Sequence, residues 1–458
     1  MSLRFRNKNW VLVLLISLLV SVFALDLWTR LNVSADEEYS NLKIFTEVLS
    51  QVENNYVEKP DSKQLIYGAI NGMISSLDPH SGFMPPDVYK EMQIDTRGEF
   101  GGLGIQIGTK DNVLTVIAPI EDTPAYKAGI KAGDQILKID GQPTAGMQIF
   151  DAVKMMRGPK GTPVTITIMR NGFKQPEDFR ILRGEITVKS VKYKMIDKDQ
   201  GIGYLKLTQF QEKSAEDMAN ALKKMSKEGM RSLILDLRNN PGGLLTSAID
   251  VASQFMPQGK LVVYTQGRVG GRSDYMTSNQ YTSYTTMPIV VLVNQGSASA
   301  SEIVSGALKD WKRAVIMGTK TFGKGSVQTV IPLSDGSGLR LTTARYFTPK
   351  GISIQNTGIQ PDIEVKLVIP PSEAKKIKEY PVIREKDLKN HLDANPSQKG
   401  TADDVQEAPW VDLKAKDDNQ LQRAVDLLKT WDIFSSITAA KNGQAQTTSA
   451  SVAAPASK

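Results

Sequence analysis

Two short runs carry residue types that together can cut an amide bond. The first is Gln295-Gly296-Ser297-Ala298-Ser299-Ala300-Ser301-Glu302. It follows the apolar run Met287 to Asn294, whose unbroken Ile/Val/Leu content suits a strand buried on both faces. After it, Ile303, Val304, Ala307, Leu308 and Trp311 recur at helical spacing. A serine in this turn stands at a helix N-terminus, where unpaired backbone N–H groups favour developing negative charge, as a nucleophile beside an oxyanion hole requires. Ser299 to Glu302 also spells the capping box S-x-x-E, so the turn taken alone is equally a helix cap. The second run is Phe322-Gly323-Lys324-Gly325-Ser326-Val327-Gln328, set between two strand patterns, Ala314 to Gly318 and Val327 to Leu333. A lysine between glycines can be approached closely by backbone and packed away from water. Burial disfavours the ammonium and draws its pKa from about 10.4 toward neutrality, where lysine serves as a base. Alternation along a strand places positions 324, 326 and 328 on one side, so the Gln328 amide oxygen can hold and orient the Lys324 amine.

Elimination points the same way. The chain has only two histidines, His80 and His391, and no cysteine. A Ser-His-Asp triad would have to recruit a histidine from a peripheral segment, and a cysteine nucleophile is excluded. A serine paired with Lys324 remains, with Ser297, Ser299 and Ser301 equally placed by spacing.

SASASEI followed by FGKGSVQ resembles the carboxyl-terminal processing peptidases, also called tail-specific proteases, over roughly residues 40 to 435. The resemblance implies that Ser299 attacks, that Lys324 is the general base and that Gln328 orients it. It also implies an oxyanion hole formed by the Ala300 N–H and a backbone N–H from the turn Leu235-Asp236-Leu237-Arg238-Asn239-Asn240-Pro241-Gly242-Gly243, that of Gly242 or its neighbour Gly243.

Around these runs the chain reads as a series of segments. Its 458 residues suffice for two to four domains. Hydrophobic content of 40% and charged content of 23% are ordinary for a globular protein. The net charge of +7 is spread along the chain without a dense basic block, so nucleic acid is not an indicated partner. Absence of cysteine excludes disulfides and thiolate metal sites, and no metal or cofactor is implied. Residues 1–35 place Arg4, Arg6 and Lys8 before the uncharged run Trp10 to Leu25, the pattern of a signal peptide or signal anchor. Export follows, with the bacterial periplasm or the extracytoplasmic membrane face as the expected location. Residues 36–97 are expected to be helical. Leu42, Phe45, Val48, Leu49 and Val52 form one stripe there, expected to pack on its own domain, with a homodimer surface as the alternative. Asp78-Pro79-His80-Ser81 ends this region and resembles the same peptidases, and His80 reads as a local hydrogen bonder.

Residues 98–183 change to short strands and turns and look like a PDZ domain, which binds a peptide as an added strand and holds its terminal carboxylate on loop N–H groups. Leu103, Gly104 and Ile105 would form that loop, and the helix Ile149 to Met156 would line the groove with Val153 and Met156. Arg157, in the loop after that helix, is a candidate for a contact present in only one of two gating states. Residues 184–365 alternate strand and helix and are expected to form an α/β core, a crotonase/ClpP-like sheet with helices, interrupted by a mobile excursion from Gly267 to Tyr284. Residues 366–440 contain the amphipathic helix Gln420 to Trp431, and the polar tail 441–458 is expected to be disordered. The expected fold is therefore an α/β core with an inserted PDZ β-domain and helical segments at both ends, through either of which a homodimer could form. The expected activity is that of an exported serine endopeptidase acting through an acyl-enzyme on protein or peptide substrates with free C-termini. An inert PDZ scaffold is the alternative from another class.

Overall fold

The computed structural model describes residues 16–17, 21, 40–110, 112–281, 284–370, 383–393, 413–431 and 433. Apart from those first three positions, the expected signal segment lies outside the described residues, as does the tail 441–458. Among the described residues no helix is long and apolar enough to cross a membrane.

The chain divides into two compact units, residues 1–75 and 76–458. The described residues of the first include two helical stretches, α1 over residues 40–55 and α2 over Ser62–Ser75. The apolar stripe of α1 is not packed as expected: Leu42, Phe45 and Val48 are 61%, 44% and 57% exposed. Only Ile74 of α2 is buried, and Ile66 and Met73 of the same helix are themselves exposed.

The second unit opens with the Asp78–Ser81 turn, the short strand β1 (Gly82–Met84) and the helix α3 (Pro86–Arg97). Proline at the helix start and Gly98 in the left-handed conformation at its end set the limits of α3. β2 (Glu99–Gly102) then leads into a barrel-like module. This comprises β3 (Ile105–Lys110), β4 (Val113–Pro119), α4 (Pro124–Lys127), β5 (Gln135–Ile139), β6 (Gln142–Pro143), α5 (Ile149–Met156), β7 (Pro163–Met169) and β8 (Glu177–Leu182). Its sheet runs β3-β4-β5-β7-β8, with β6 on β5. Alternation along β7 sends Val164, Ile166 and Ile168 inward, against Ile136 and Ile139 of β5 and Ala152 and Met156 of α5. β9 (Gly184–Thr187) leaves the module beside β2, antiparallel, with Gly102 opposite Gly184. The inserted module thus enters and leaves through one two-stranded ribbon.

The α/β core follows. β10 (Val191–Asp197), β11 (Ile202–Leu207), α6 (Ser214–Lys227), β12 (Ser232–Asp236) and α7 (Leu245–Ser253) precede β13 (Leu261–Gly267) and β14 (Arg272–Met276). β15 (Ile289–Val293), α8 (Ala300–Asp310), β16 (Val315–Gly318), β17 (Ser326–Pro332), β18 (Gly338–Phe347) and β19 (Ile363–Glu364) complete it. One sheet has the order β10-β11-β12-β15-β16-β19, parallel from β11 onward. Every residue of β12 and β15 is buried, because both faces of this sheet are covered. Leu233, Leu235, Val291 and Val293 pack with α6, α7 and α8. Ile234, Val290 and Leu292 face the other way, toward Leu421, Ala424, Val425 and Leu428 of a C-terminal helix, α9, over residues 419–431. A second sheet runs β1-β18-β13-β14, with β17 also on β18. Gly267 to Tyr284 is therefore not simply an excursion: β14 returns on β13 as a hairpin, from Gln266 opposite Arg272 to Leu261 opposite Met276. The paired glycines Gly270 and Gly271 suggest a loop, and they do form the turn, while the pairing partner of β14 lies in the preceding strand.

Candidate active site

The serine turn before α8 is stitched to the end of β12. Asn294 Oδ1 accepts from the N–H groups of Asn239 (2.9 Å) and Gly296 (3.0 Å), and the Ala298 N–H donates to the Asn240 carbonyl at 3.0 Å. Ser297 and Ser301 are fully buried, and their hydroxyls donate to the carbonyls of Leu237 (2.8 Å) and Asn240 (2.9 Å). Ser299 between them is partly exposed. It holds φ 53° and ψ −111°, a conformation an L-residue keeps only where its surroundings enforce it. The three serines, alike by spacing, thus differ sharply in availability.

Gly242 packs directly beneath this turn. At φ 100°, a Cβ there would lie 2.8 Å from the Ala298 carbonyl oxygen and 2.9 Å from the Ala300 nitrogen. Its own N–H donates to Asn240 Oδ1 at 2.9 Å, whereas the Ala300 N–H makes no hydrogen bond among the described residues. The N–H at the start of α8 is therefore unengaged among the described residues, while that of Gly242 is held by a side-chain amide.

Lys324 lies just ahead of β17. Burial pulls its ammonium below the usual lysine range, helped by the positive charge of Arg340 and opposed by Glu385, Glu302 and Asp78. Its backbone is pinned on both sides. The Lys324 N–H donates to Glu302 Oε2 (2.9 Å) and the Gly325 N–H to Gln355 Oε1 (3.0 Å). The Gln328 amide donates to Ser326 Oγ (2.9 Å) and Thr342 Oγ1 (3.3 Å). Among the described residues no hydrogen bond joins Lys324 Nζ to Ser299 or Gln328.

Glu302 holds the two runs together. Its buried carboxylate accepts from Thr321 Oγ1 (2.5 Å) and the Gly323 N–H (2.8 Å) through one oxygen, and from the Ser299 (2.9 Å) and Lys324 (2.9 Å) N–H groups through the other. Burial pushes its pKa up to about 7 while the four donors pull it down. Sequence reasoning reached Glu302 only as half of a capping box; its second task, on the lysine loop, depends on a contact 22 residues away.

The His80 N–H bonds locally, to Asp78 Oδ1 at 2.8 Å, but its side chain reaches far beyond the turn. Its Nε2 meets both oxygens of the buried Glu385, at 2.9 and 2.8 Å, 305 residues along the chain. His391 Nδ1 faces the Leu388 carbonyl at 2.9 Å, so both imidazoles are committed to the C-terminal segment.

In the inserted module, Leu103 is buried in the core, Gly104 adopts φ 76°, and Ile105 begins β3. The Gly104 carbonyl accepts from the Ile120 N–H (2.8 Å) and Thr123 Oγ1 (3.2 Å), which fixes the loop. Of the two proposed groove positions on α5, Val153 is half-buried and Met156 is turned into the core. Arg157 is no solvated turn residue: it pairs with Glu91 of α3 and lies over the Phe100 ring of β2, 4.3 Å from its centroid. Lys154 of α5 likewise pairs with Asp87 of α3 at 2.6 Å.

Residues 201–365 match the Peptidase family S41, residues 115–170 a PDZ domain and residues 27–88 the activating protease CtpB N-terminal domain. The carboxy-terminal-processing protease of Bartonella bacilliformis is 47% identical over 399 residues, covering 85% of this chain and 89% of that protein. The carboxyl-terminal-processing protease of Synechocystis is 40% identical over 317 residues, 68% of this chain and 74% of that protein. Among solved structures, a photosystem II D1 C-terminal processing protease aligns at 32% identity over 70% of this chain and 92% of that one, with a TM-score of 0.42. With a serine turn at the start of α8, a buried lysine loop and an inserted PDZ module in one chain, and with relatives of this closeness, the protein belongs to the carboxy-terminal processing proteases, serine peptidases of family S41 that carry a PDZ domain.

Proposed function

We propose that this protease is exported and works through a Ser299–Lys324 dyad gated by its PDZ domain. The observation that carries the reading is the linkage at Glu302, whose one oxygen receives the N–H groups of both Ser299 and Lys324. It is supported by the burial of the two competing serines and by the lowered lysine pKa. Neutral Lys324 takes the Ser299 proton as Oγ attacks the scissile carbonyl. The oxyanion is received by the Ala300 N–H and by the Gly242 N–H once the latter leaves Asn240 Oδ1. Lys324 returns the proton to the leaving amine, and water then hydrolyses the acyl-enzyme with Lys324 again as base. Gln328 reaches the lysine amine by releasing Ser326 and Thr342.

A resting state in which these rearrangements are still to come fits control by substrate. A C-terminal segment added along the PDZ sheet, its carboxylate held by the loop of Leu103, Gly104 and Ile105 with Val153 of α5 alongside, bears on α5 and hence on Arg157. The Arg157–Glu91 pair is then the contact that distinguishes the states, and peptide activates only as far as it binds the open state better. The basic residues before an apolar run support export to the bacterial periplasm, with the same run as membrane anchor. The exposed stripe of α1 supports a homodimer contact.

The test is labelling by a fluorophosphonate in the parent and in Ser299→Ala, Ser297→Ala and Ser301→Ala, with and without a peptide bearing a free C-terminus. Labelling lost only in Ser299→Ala, and raised by the free-carboxylate peptide but not by its amide, is the expected result. Persistent labelling of Ser299→Ala would overturn the assignment of the nucleophile.

A further inference from the structure

The Asp78-Pro79-His80-Ser81 turn has no part in the chemistry above, yet it grips both flanks of Lys324. The turn is rigid in itself: the Asp78 carboxylate accepts from the N–H groups of His80 (2.8 Å) and Ser81 (2.9 Å) and from the Ser81 hydroxyl (2.7 Å). On one flank, Asp78 Oδ1 accepts from Thr342 Oγ1 and Ser81 Oγ accepts from the Thr342 N–H, both at 3.0 Å. The same Thr342 Oγ1 accepts from the Gln328 amide at 3.3 Å. On the other flank, His80 meets Glu385, Glu385 Oε1 accepts from Gln355 Nε2 (2.9 Å), and Gln355 Oε1 accepts from the Gly325 N–H (3.0 Å). Glu385 and Gln355 are fully buried, so neither can exchange these partners for water. There is no slack at the far end either, since a Cβ at Gly325 would lie 2.3 Å from the Gln355 nitrogen.

We propose that this turn is a positioning element for the general base: Asp78 and Ser81 fix Gln328 through Thr342, and His80 fixes the Lys324–Gly325 backbone through Glu385 and Gln355. The proposal rests on the reading of Lys324 as the base. His80 acts through other residues and makes no hydrogen bond to Ser299 or Lys324 among the described residues. The titratable and charged groups facing the cluster are Asp78 and His80 from the turn, Arg340 from β18, Glu385 from the segment after residue 383, and Glu302 from α8. Arg340 is bound in as well, donating through Nε to the His80 carbonyl at 2.9 Å. Loosening the turn therefore both displaces the amine and admits water to it, which favours the ammonium.

The experiment compares full-length parent, His80→Ala, His80→Gln and Thr342→Val by kcat and KM across pH, with thermal melting to establish folding. His80→Ala and Thr342→Val are expected to lower kcat at neutral pH by about 10- to 100-fold with KM changed less than about twofold. They are also expected to move the rise of activity to higher pH, so that part of the loss returns in alkali. His80→Gln, whose amide can donate to Glu385, is expected to recover part of the His80→Ala loss. Folded variants whose pH profile superimposes on the parent's would overturn the proposal, and Thr342→Val decides the matter if His80→Ala does not fold. Lys324→Ala in the same assay separates the two ideas. An active Lys324→Ala removes the dyad and this proposal together, whereas an inactive one beside unshifted turn variants removes only the positioning role.

Discussion

At the scale of single residues, the site sets a buried ammonium against its surroundings. Lys324 has a folded pKa below its unfolded one. At pH below the folded value both states hold the proton and the folded state bears the whole desolvation cost. That cost fades as pH rises from the folded pKa toward about 10.4, where the unfolded chain also loses its proton. Lys324→Met should therefore melt higher than the parent at neutral pH, by a margin that shrinks in alkali. Its activity should fall by at least about 10⁴-fold, as should that of Ser299→Ala, and the double variant should be hardly worse than either, because in the proposed dyad Ser299 and Lys324 act as one unit. Glu302 makes the opposite kind of demand. Glu302→Gln keeps the volume but turns an NH₂ toward donors, so a stability loss of about 1–3 kcal/mol is expected in chemical denaturation. Because burial raises the Glu302 pKa from 4.5 to about 7, its contribution to stability is present in full below 4.5 and is lost as pH rises through 7. The glutamine variant should lack that component of the pH–stability curve.

Among elements, the C-terminal helix shows how a distant segment becomes part of the sheet. Arg238, 2% exposed at the end of β12, pairs with Asp236 (2.6 Å) and Asp418 (2.8 Å) and donates to Gln420 Oε1 at 2.9 Å. Burial alone would raise the Asp236 pKa, but the Arg238 charge and its hydrogen bonds outweigh it and hold the carboxyl below its usual range. Asp418 also accepts from the Leu421 N–H at 3.0 Å, capping α9 as it neutralises Arg238. Asp418→Ala removes both functions and should cost about 3–5 kcal/mol in denaturant unfolding, since it leaves a buried guanidinium short of a counter-charge. Asp197→Ala, which removes the more exposed pair with Lys429, should leave the unfolding midpoint nearly unchanged. A loss from Asp418→Ala no larger than that of Asp197→Ala would show that α9 is not anchored through Arg238.

For the whole molecule, the two-stranded ribbon of β2 and β9 makes the PDZ module separable from the protease core. Gly102 and Gly184 are paired, so residues 103–183 can be replaced by a tight turn that leaves the ribbon closed. Cleavage by such a variant should no longer distinguish substrates with free and amidated C-termini. Arg157→Ala in the full chain should change the peptide concentration needed for activation while leaving the maximal labelling of Ser299 unaltered. Undiminished dependence on the terminal carboxylate after the replacement would place substrate recognition outside the PDZ module.

The sequence by itself determined those features that local periodicity encodes. The unbroken apolar run before Gln295 required a sheet covered on both faces, and the helix Gln420 to Trp431 followed from its amphipathic spacing. The paired serine and lysine motifs were legible for the same reason, as short runs of unusual composition. Tertiary structure decided what depends on a partner elsewhere in the chain. It separated Ser299 from Ser297 and Ser301 by giving the latter two buried acceptors, and it made Glu302 a bridge as well as a cap. It folded Gly267 to Tyr284 onto β13, left the α1 stripe exposed and carried His80 to Glu385. A side chain's type and spacing set how much surface it must bury, whereas its hydrogen-bond partner is fixed only when distant segments close around it.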